Sequence, residues 1–256
     1  MLLGIIEGIT EFLPVSSTGH LLLCERVLGI RQSDLFNVVI QCGAVLAVLP
    51  LFPERLKQFC FRWREPATRD YLLKIVVAFV ITGAGGLLLE KMDFALPEKP
   101  LPVALALLVG GILFVVIERW LRGKTLSDAI GWNVVLAVGF GQLIAAVFPG
   151  TSRSGSTILL ALLLGLSRPA ATEFSFLVGI PTMLAAGALK IFQELRETGD
   201  GPAENWGLLL LSAIVAAVVS FIAVKWLLRY VQSHTFTAFG WYRIGLGLVI
   251  LLLLWV

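Results

Sequence analysis

Charged residues are scarce in this chain, and their scarcity excludes most soluble proteins. Only 14% of the 256 residues are charged, while 58% are hydrophobic and the mean hydropathy is +0.92. A soluble domain carries about 25% charged residues. The net charge of +3 is also too small to indicate nucleic-acid binding. The composition therefore predicts an integral membrane protein.

Other absences narrow the class of membrane protein. The three cysteines, Cys24, Cys42 and Cys60, have no spacing typical of a disulfide framework or a metal site. The alternating polar and apolar pattern of a membrane β-barrel is absent. The first residues lack a basic segment and include Glu7, so we expect no cleaved signal peptide. Apolar runs of helical length recur throughout, which predicts one all-α polytopic membrane domain over residues 1–256.

Two kinds of apolar segment recur along the chain. Six runs are predicted to be full transmembrane helices, at 36–52, 71–89, 101–117, 172–193, 206–228 and 240–256. Two other segments, 2–30 and 130–166, each consist of an apolar arm, a polar loop and a second arm. Their arms are too short to cross a bilayer, so we interpret both segments as re-entrant helical hairpins.

Lysine and arginine are concentrated in the connecting segments 53–70, 118–128, 167–169 and 225–235. The positive-inside rule places these segments in the cytoplasm. The loops at 31–34, 90–100 and 194–205 and both termini then face outward, and the two hairpins enter from opposite sides. Pairing Pro14 with Pro149, and hence Ser17 with Ser152, aligns two halves of the chain, roughly 1–118 and 119–256. An inverted repeat whose two loops meet near the bilayer midplane is therefore predicted.

The loop of the second hairpin has the composition of a phosphate-binding site. Arg153 lies there among small and hydroxyl residues, at a depth where an arginine costs about 2.5–3.5 kcal/mol and usually marks a functional site. Arginine binds phosphate in a bidentate manner, and the following helix N-terminus favours an anion. No Gly-Lys-Ser/Thr follows, so this is not a nucleotide P-loop. The predicted phosphate-binding residues are Arg153, Ser152, Ser154, Thr157, Gly150 and, from the first loop, Ser16. The alternative is a surface loop between two ordinary spans.

Paired acids precede the loop of the first hairpin. Glu7 and Glu11 are four residues apart, so they share one helix face. They could hold a divalent cation such as Mg²⁺ or Ca²⁺, because hard cations prefer oxygen ligands. Crowding and burial could instead make one of them a general acid or base. A simple ion pair with Arg153 is the third alternative.

Hydroxyl groups and a histidine follow these acids within nine residues. Ser17 could be a nucleophile if a neighbouring base takes its proton. His20 could be that base, oriented by Glu11 or Glu7, or it could itself attack; His234 is expected to be a solvated linker residue. An anion clamp that faces acids, a hydroxyl and an imidazole suits phosphoryl transfer or phosphate-ester hydrolysis. The membrane setting suggests a lipid phosphate as the substrate.

These motifs resemble those of the bacterial undecaprenyl-pyrophosphate phosphatase family, the bacitracin-resistance membrane phosphatases. The resemblance covers nearly the whole chain and rests on the segments 7–20, 149–155 and 173–176 together with Gln41 and Gln142. It implies hydrolysis of undecaprenyl diphosphate to undecaprenyl phosphate and phosphate, which recycles the lipid carrier for peptidoglycan synthesis. It also implies broken hairpins in an inverted repeat, a divalent cation, and a site open to the periplasm of the cytoplasmic membrane.

The resemblance also assigns roles to residues of the two loops. Glu7 and Glu11 match the paired acids of the family, Ser17 and His20 match its proposed nucleophile and acid/base, and Arg153 matches its phosphate-binding arginine. Asn37 departs from the family pattern, in which we expect an acid after the phenylalanine.

Two other functions must be weighed against this one, and one of them remains open. A lipid-phosphate flippase or transporter could use the same anion site, because inverted repeats with broken helices are common in transporters. The vanadium-haloperoxidase-like lipid phosphatases are excluded, since they need a second histidine shortly after the Ser-Arg element and only His234 follows Arg153. The predicted partners are the prenyl diphosphate substrate and membrane lipid. The sequence also allows a homodimer.

Overall fold

The described part of the chain is all-helical. The structure is a computed structural model, and it describes residues 1–29, 33–92, 94, 99–197 and 206–254. These residues form eleven α-helices, and their one extended pairing is an isolated bridge between Ser127 and Leu166. The helices are α1 (Leu2–Thr10), α2 (Ser17–Leu28), α3 (Asp34–Val48), α4 (Pro53–Phe61), α5 (Pro66–Lys91), α6 (Pro100–Trp120), α7 (Trp132–Val147), α8 (Arg153–Leu163), α9 (Arg168–Glu197), α10 (Trp206–Tyr230) and α11 (Thr237–Leu253). The all-α prediction is confirmed.

Fewer helices are long enough to span a membrane than the sequence predicts. Within the described ranges, α5, α6, α9 and α10 are long and apolar enough to do so. A fifth span would require α3 and α4 together, and these two helices meet at an angle of 82°. The last helix, α11, has 17 residues. The structure thus supports a multi-pass membrane protein with four or five such spans, where the sequence predicts six.

The loop predicted after the first span is largely helical. The sequence predicts a span over 36–52 and a loop over 53–70; α3 and the 3₁₀ turn Leu49–Leu51 end at the predicted boundary, but the predicted loop contains further helices. Pro53 and Pro66 then begin α4 and α5 within the predicted loop. Proline has no N–H group and has its φ fixed near the helical value, so it is favourable in the first turn of a helix. The prolines therefore begin new helices here and do not form a loop.

Close backbone contacts hold the short helix α1 against α10. A Cβ built on Gly4 would lie 2.5 Å from the Ser212 carbonyl oxygen, and one on Gly8 would lie 2.6 Å from that of Ala216. Only glycine fits such contacts, which are typical of helix pairs in membranes. The free amino group of Met1 also donates to the Ser212 hydroxyl at 3.2 Å.

Helices α6 and α11 pack against each other in antiparallel directions. A Cβ built on Gly240 would lie 2.8 Å from the carbonyl oxygen of Gly111. A Cβ built on Gly247 would lie 2.9 Å from the carbonyl oxygen of Ala104. The end of α11 therefore lies beside the beginning of α6.

The two helical hairpins, α1–α2 and α7–α8, open at opposite ends of this pair. Arg26, near the end of α2, donates to the Leu253 carbonyl at the end of α11, with 2.6 Å between the atoms. At the other end, Leu166 after α8 pairs with Ser127, which follows α6. The turns of both hairpins consequently point toward the middle of the bundle.

Matching caps begin the second helix of each hairpin. Ser16 caps α2 and Ser152 caps α8, with φ values of 73° and 69°, and these two are the non-glycine residues with positive φ in the described chain. Each hydroxyl accepts from the amide three residues on, Gly19 at 3.4 Å and Gly155 at 3.1 Å. Ser16 and Ser152 are thus equivalent positions of the two hairpins. The sequence alignment is shifted from this by one residue, because it makes Ser17 equivalent to Ser152.

The segments rich in lysine and arginine come together at one end of the molecule. Each of the four contributes to the wall of a cavity of about 560 Å³, through Arg55, Asp128, Pro169 and Gln232 respectively. The predicted outer loops 31–34, 90–100 and 194–205 fall partly outside the described residues, at 31–32, 93, 95–98 and 198–205.

Candidate active site

The polar loops of the two hairpins meet inside the helix bundle. The Ser154 hydroxyl donates to the Leu13 carbonyl at 3.2 Å, and Nη2 of Arg153 lies 3.5 Å from Oε1 of Glu11. Both loops line one cavity of about 750 Å³. The meeting of these loops is therefore as the sequence predicts.

Ser17 and Glu11 form a direct hydrogen bond in this cavity. The Ser17 hydroxyl donates to Oε2 of Glu11 at 2.7 Å. Glu11 closes the C-terminus of α1 with only 6% of its surface exposed, and Ser17 is the first residue of α2. A carboxylate at this distance can accept the hydroxyl proton during nucleophilic attack. The pair has the geometry of a nucleophile and its base.

The guanidinium of Arg153 lines the same cavity, where it forms the ion pair with Glu11 and has N–H groups without hydrogen-bond partners. Its side chain is 14% exposed, yet Nε, Nη1 and Nη2 have no hydrogen-bond partner. Besides Glu11, the guanidinium packs near the Phe12 ring, 5.5 Å from its centroid. A guanidinium has five N–H donors, and leaving buried donors unpaired is costly. Arg153 is thus arranged to receive an anion with several acceptor oxygens.

Glu7 adds a second carboxyl beside Glu11. It lies one helical turn earlier, is 2% exposed, and its Oε2 has no hydrogen-bond partner. Among the described residues, no group of three or more His, Cys, Asp or Glu side chains could hold a metal ion. Mg²⁺ is commonly bound by one or two carboxylates together with substrate phosphate oxygens. The Glu7–Glu11 pair and the Ser17 hydroxyl fit such a partial ligand set.

His20 points away from the Ser17 hydroxyl. Its Nδ1 lies 2.7 Å from the Ser16 carbonyl oxygen, and its Nε2 lies 2.7 Å from the Tyr242 hydroxyl. A carbonyl only accepts hydrogen bonds, so Nδ1 carries the hydrogen, and a neutral ring accepts from Tyr242 through Nε2. His20 does not line the cavity. The hydrogen-bond acceptor beside Ser17 is therefore Glu11, and the sequence-based pairing of Ser17 with His20 is not found.

The predicted phosphate-binding residues divide into two groups. Ser16, Ser152 and Gly150 line the cavity. Ser154 and Thr157 are fully buried and do not line it. Their hydroxyls donate to backbone carbonyls, that of Thr157 to Arg153 at 2.9 Å, so these two side chains stabilise the loop and are not in place to bind phosphate.

Gln142 is a cavity residue to which the sequence assigned no role. Its Nε2 donates to the hydroxyls of Thr82 at 2.9 Å and Thr182 at 3.5 Å. Both threonines donate their own hydrogens to carbonyls of their helices, so the amide must turn its N–H groups toward them. Oε1 of Gln142 is left buried without a partner. An amide in an otherwise apolar segment was the available signal, and the same holds for Gln41, which is half-buried and also lines the cavity.

The far wall of the cavity is apolar. It is formed mainly by α5 and α9 through Val80, Gly83, Leu87, Ala185 and Leu189. A polar end and an apolar wall in one cavity suit a ligand with a charged head and a hydrocarbon tail.

Comparison with known proteins agrees with this arrangement. Residues 1–249 match the family model described as bacitracin resistance protein BacA. The chain is 51% identical over 251 residues to a protein named undecaprenyl-diphosphatase from Rhizobium etli (strain CIAT 652), with 98% of this chain and 94% of the relative covered. It is 49% identical over 253 residues to a protein of the same name from Xanthomonas axonopodis pv. citri (strain 306), with 98% and 95% covered. The chain belongs to the bacitracin resistance protein BacA family.

Proposed function

We propose that this protein hydrolyses undecaprenyl diphosphate to undecaprenyl phosphate and inorganic phosphate, and so recycles the lipid carrier for peptidoglycan synthesis. The observation that carries the proposal is the buried guanidinium of Arg153, whose N–H groups have no hydrogen-bond partner and which lies beside the hydrogen-bonded pair Ser17–Glu11 in one cavity. The names of the relatives support the choice of substrate.

The proposed reaction has two displacement steps. Arg153 binds the terminal phosphoryl group, and Oγ of Ser17 attacks its phosphorus while Glu11 takes the hydroxyl proton. The new Oγ–P bond replaces the bridging P–O bond, and undecaprenyl phosphate leaves. Water then attacks the phosphoserine, inorganic phosphate departs, and Ser17 regains its proton. A positioned base of this kind contributes about 10²–10⁴-fold to such a step.

A divalent cation, Mg²⁺ or Ca²⁺, is proposed as a partner of the acidic pair. Glu7 and Glu11 would hold it, with the Ser17 hydroxyl as a further oxygen donor. When bound, such a cation neutralises negative charge on the diphosphate. The unpaired Oε2 of Glu7 is the structural feature that favours this ligand role.

The apolar wall along α5 and α9 is proposed to hold the first part of the prenyl tail, while the remainder lies in the bilayer. We further propose that the protein lies in the bacterial cytoplasmic membrane as a polytopic inverted repeat, with α1–α2 and α7–α8 as its re-entrant hairpins. The basic end of the bundle would face the cytoplasm, and the cavity would open toward the periplasm. The gathering of four basic segments at one end supports this orientation.

The first experiment is phosphate release from C15 and C55 prenyl diphosphates by protein purified in detergent, with and without EDTA. In Arg153→Ala the rate of phosphate release is expected to fall by at least about 10²-fold. The substitution removes a preorganised positive charge that stabilises the transferring phosphoryl group. Arg122→Ala changes an exposed arginine of a connecting loop and should retain wild-type activity. Inhibition by EDTA that added Mg²⁺ reverses would support the cation.

The same assay separates hydrolysis from transport. The two hairpins that open at opposite ends also suit a lipid-phosphate flippase, which would bind the same headgroup but release no phosphate. Folded wild-type protein that binds the lipid without releasing phosphate would overturn the phosphatase proposal. Activity that persists in Ser17→Ala but not in Glu11→Gln would instead indicate attack by water that Glu11 activates.

A further inference from the structure

The most deeply buried basic residue of the described chain lies outside both polar loops. Arg243, in the middle of α11, is fully buried, and it is the largest side chain buried to this extent. The proposed reaction gives it no role, and it belongs to no motif of the sequence analysis. A charged side chain inside a membrane bundle is costly and generally marks a functional element.

The guanidinium of Arg243 bridges the two loops. Nη1 donates to the carbonyl of Pro14 in the first loop at 3.2 Å. Nη2 donates to the carbonyls of Gly150 at 3.2 Å and Thr151 at 2.9 Å in the second loop. A further bond from Nη2 to Ala106, at 3.2 Å, fixes the guanidinium to α6. One rigid planar group thus connects three separate elements.

The acceptors are backbone carbonyls, and this distinguishes Arg243 from the ion-paired arginines of the molecule. Arg168 contacts Glu118 and Arg55 contacts Glu173, whereas the hydrogen bonds of Arg243 within the described chain all end on neutral oxygens. Charge neutralisation therefore does not explain this residue. The geometry of the guanidinium does explain it. Its N–H groups point in fixed directions, so they can donate to carbonyls of both loops only when the loops lie at a set separation.

The bridged carbonyls lie just before the reacting groups. Pro14 is three residues before Ser17, and Thr151 is two residues before Arg153. A shift of either loop would therefore move the Ser17 hydroxyl relative to the guanidinium that binds phosphate. Misplacement by about 1 Å can reduce an enzymatic rate by about 10²-fold.

We propose that Arg243 is a positioning residue, which sets the distance between the nucleophile loop and the phosphate-binding loop. The proposal rests on the phosphatase function above. It predicts an effect mainly on kcat, because Arg243 does not line the cavity.

Arg243→Lys tests the bridging directly. Lysine keeps the positive charge but carries a single ammonium on a flexible stem, which cannot hold the carbonyls of both loops in fixed directions. We expect kcat for phosphate release to fall by about 10–100-fold while KM changes by less than about 3-fold. Arg26→Lys is the matched control, because Arg26 also donates to a backbone carbonyl of α11 but touches neither loop. That variant should keep wild-type kcat.

A second variant displaces the guanidinium without removing it. A Cβ on Gly110 of α6 would collide with Nη2 of Arg243, so Gly110→Ala must push the fork away from its acceptors. Gly245→Ala, two residues beyond Arg243 on α11, adds its methyl group to open space and serves as the control. Gly110→Ala should reproduce the loss of kcat, and Gly245→Ala should not.

Each activity is normalised to folded protein, measured by thermal unfolding and size-exclusion chromatography in detergent. Wild-type kcat in folded Arg243→Lys or Gly110→Ala would overturn the positioning role. A loss explained entirely by the unfolded fraction, or by KM alone, would overturn it as well. If wild-type protein releases no phosphate, the phosphatase function itself fails, which is a separate and distinguishable result.

Discussion

At the scale of single residues, both ring nitrogens of His20 are engaged by groups other than the Ser17 hydroxyl. Nδ1 donates to the carbonyl of Ser16, and Nε2 faces the Tyr242 hydroxyl. Ser16 has a positive φ, a conformation that is costly for serine, so a hydrogen bond to its carbonyl helps to hold a strained turn. We therefore expect His20 to act by fixing the loop that carries Ser17.

Two substitutions of His20 separate this role from proton transfer. The side-chain amide of asparagine can place an N–H close to the position of Nδ1, so His20→Asn keeps a donor for the Ser16 carbonyl, whereas His20→Ala does not. We expect His20→Asn to retain at least about 10-fold more activity than His20→Ala in the phosphate-release assay, since one fixed turn is worth about 1–3 kcal/mol.

Tyr242→Phe is the companion control for these variants. It removes the partner of Nε2 and leaves the bond from Nδ1 intact, so its activity should stay near that of the wild type. Equal inactivity of the asparagine and alanine variants would contradict the positioning role and return His20 to the roles of base or nucleophile.

At the scale of elements, the strained caps Ser16 and Ser152 combine two opposing effects. Each hydroxyl accepts a backbone N–H, which stabilises the start of a helix, while each Cβ occupies a backbone conformation that favours glycine. Ser152→Ala loses the hydrogen bond and keeps the strain. Ser152→Gly loses the bond but relieves the strain.

The free energy of unfolding should therefore fall more in Ser152→Ala than in Ser152→Gly. We expect a loss of about 1–2 kcal/mol for alanine and roughly half of that for glycine, measured as shifts of the thermal unfolding midpoint in detergent. Ser233→Ala, an exposed linker serine, should leave the midpoint unchanged. A glycine variant that is less stable than the alanine variant would show that the positive φ carries no strain here.

The sequence predicts helices and loops well where a single strong local signal dominates. Long apolar runs and the two polar loops are found where predicted, because burial and hydrogen-bonding needs act locally. Helix α4 was missed, since Pro53 and the basic residues after it resemble a loop, although proline is also favourable in the first turn of a helix. Partners such as Tyr242 for His20, 222 residues apart, depend on tertiary packing that no local pattern records.

The wall between α5 and α9 gives a prediction about the lipid tail. A Cβ on Gly86 would meet no atom within 4 Å, and the residue lines the cavity, so Gly86→Leu should fold and narrow the apolar wall. We expect KM for the C55 diphosphate to rise by about 10-fold while kcat stays within about 2-fold, because lost tail contacts are worth about 1–3 kcal/mol.

Gly245→Leu is the control for this wall, since Gly245 also faces open space but lies on α11 outside the cavity. Isopentenyl diphosphate, which has almost no tail, should show the same KM with Gly86→Leu as with the wild type. An unchanged KM for the C55 substrate would place the tail elsewhere.

At the scale of the whole molecule, the distribution of charge predicts the orientation of the protein in the membrane. Residues of all four basic segments surround one cavity, at the end where α3 turns into α4. Lysine and arginine near the ends of membrane helices favour the cytoplasmic side. Glu11 and Arg153 line the other cavity, between hairpins that open at opposite ends.

Cys60 can report this orientation without a new label site. It is exposed on α4 at the basic end, whereas Cys24 and Cys42 are half-buried. In a Cys24→Ala, Cys42→Ala background, a membrane-impermeant maleimide should label Cys60 in inside-out vesicles and leave it unlabelled in intact cells. The reason is that the basic end of the bundle, and α4 with it, is expected to face the cytoplasm.

A thiol at the other end of α5 can report the opposite side of the membrane. Phe94→Cys, with all three natural cysteines changed to alanine, places a thiol at an exposed position just beyond the other end of α5. Because α5 has 26 residues, about 39 Å at the usual rise per residue, its two ends must lie on opposite sides of a bilayer it crosses. Labelling of the thiol at position 94 in intact cells, together with protection of Cys60, would fix the cavity as open to the periplasm. The reverse pattern would place phosphate release in the cytoplasm and require a separate route for the lipid product.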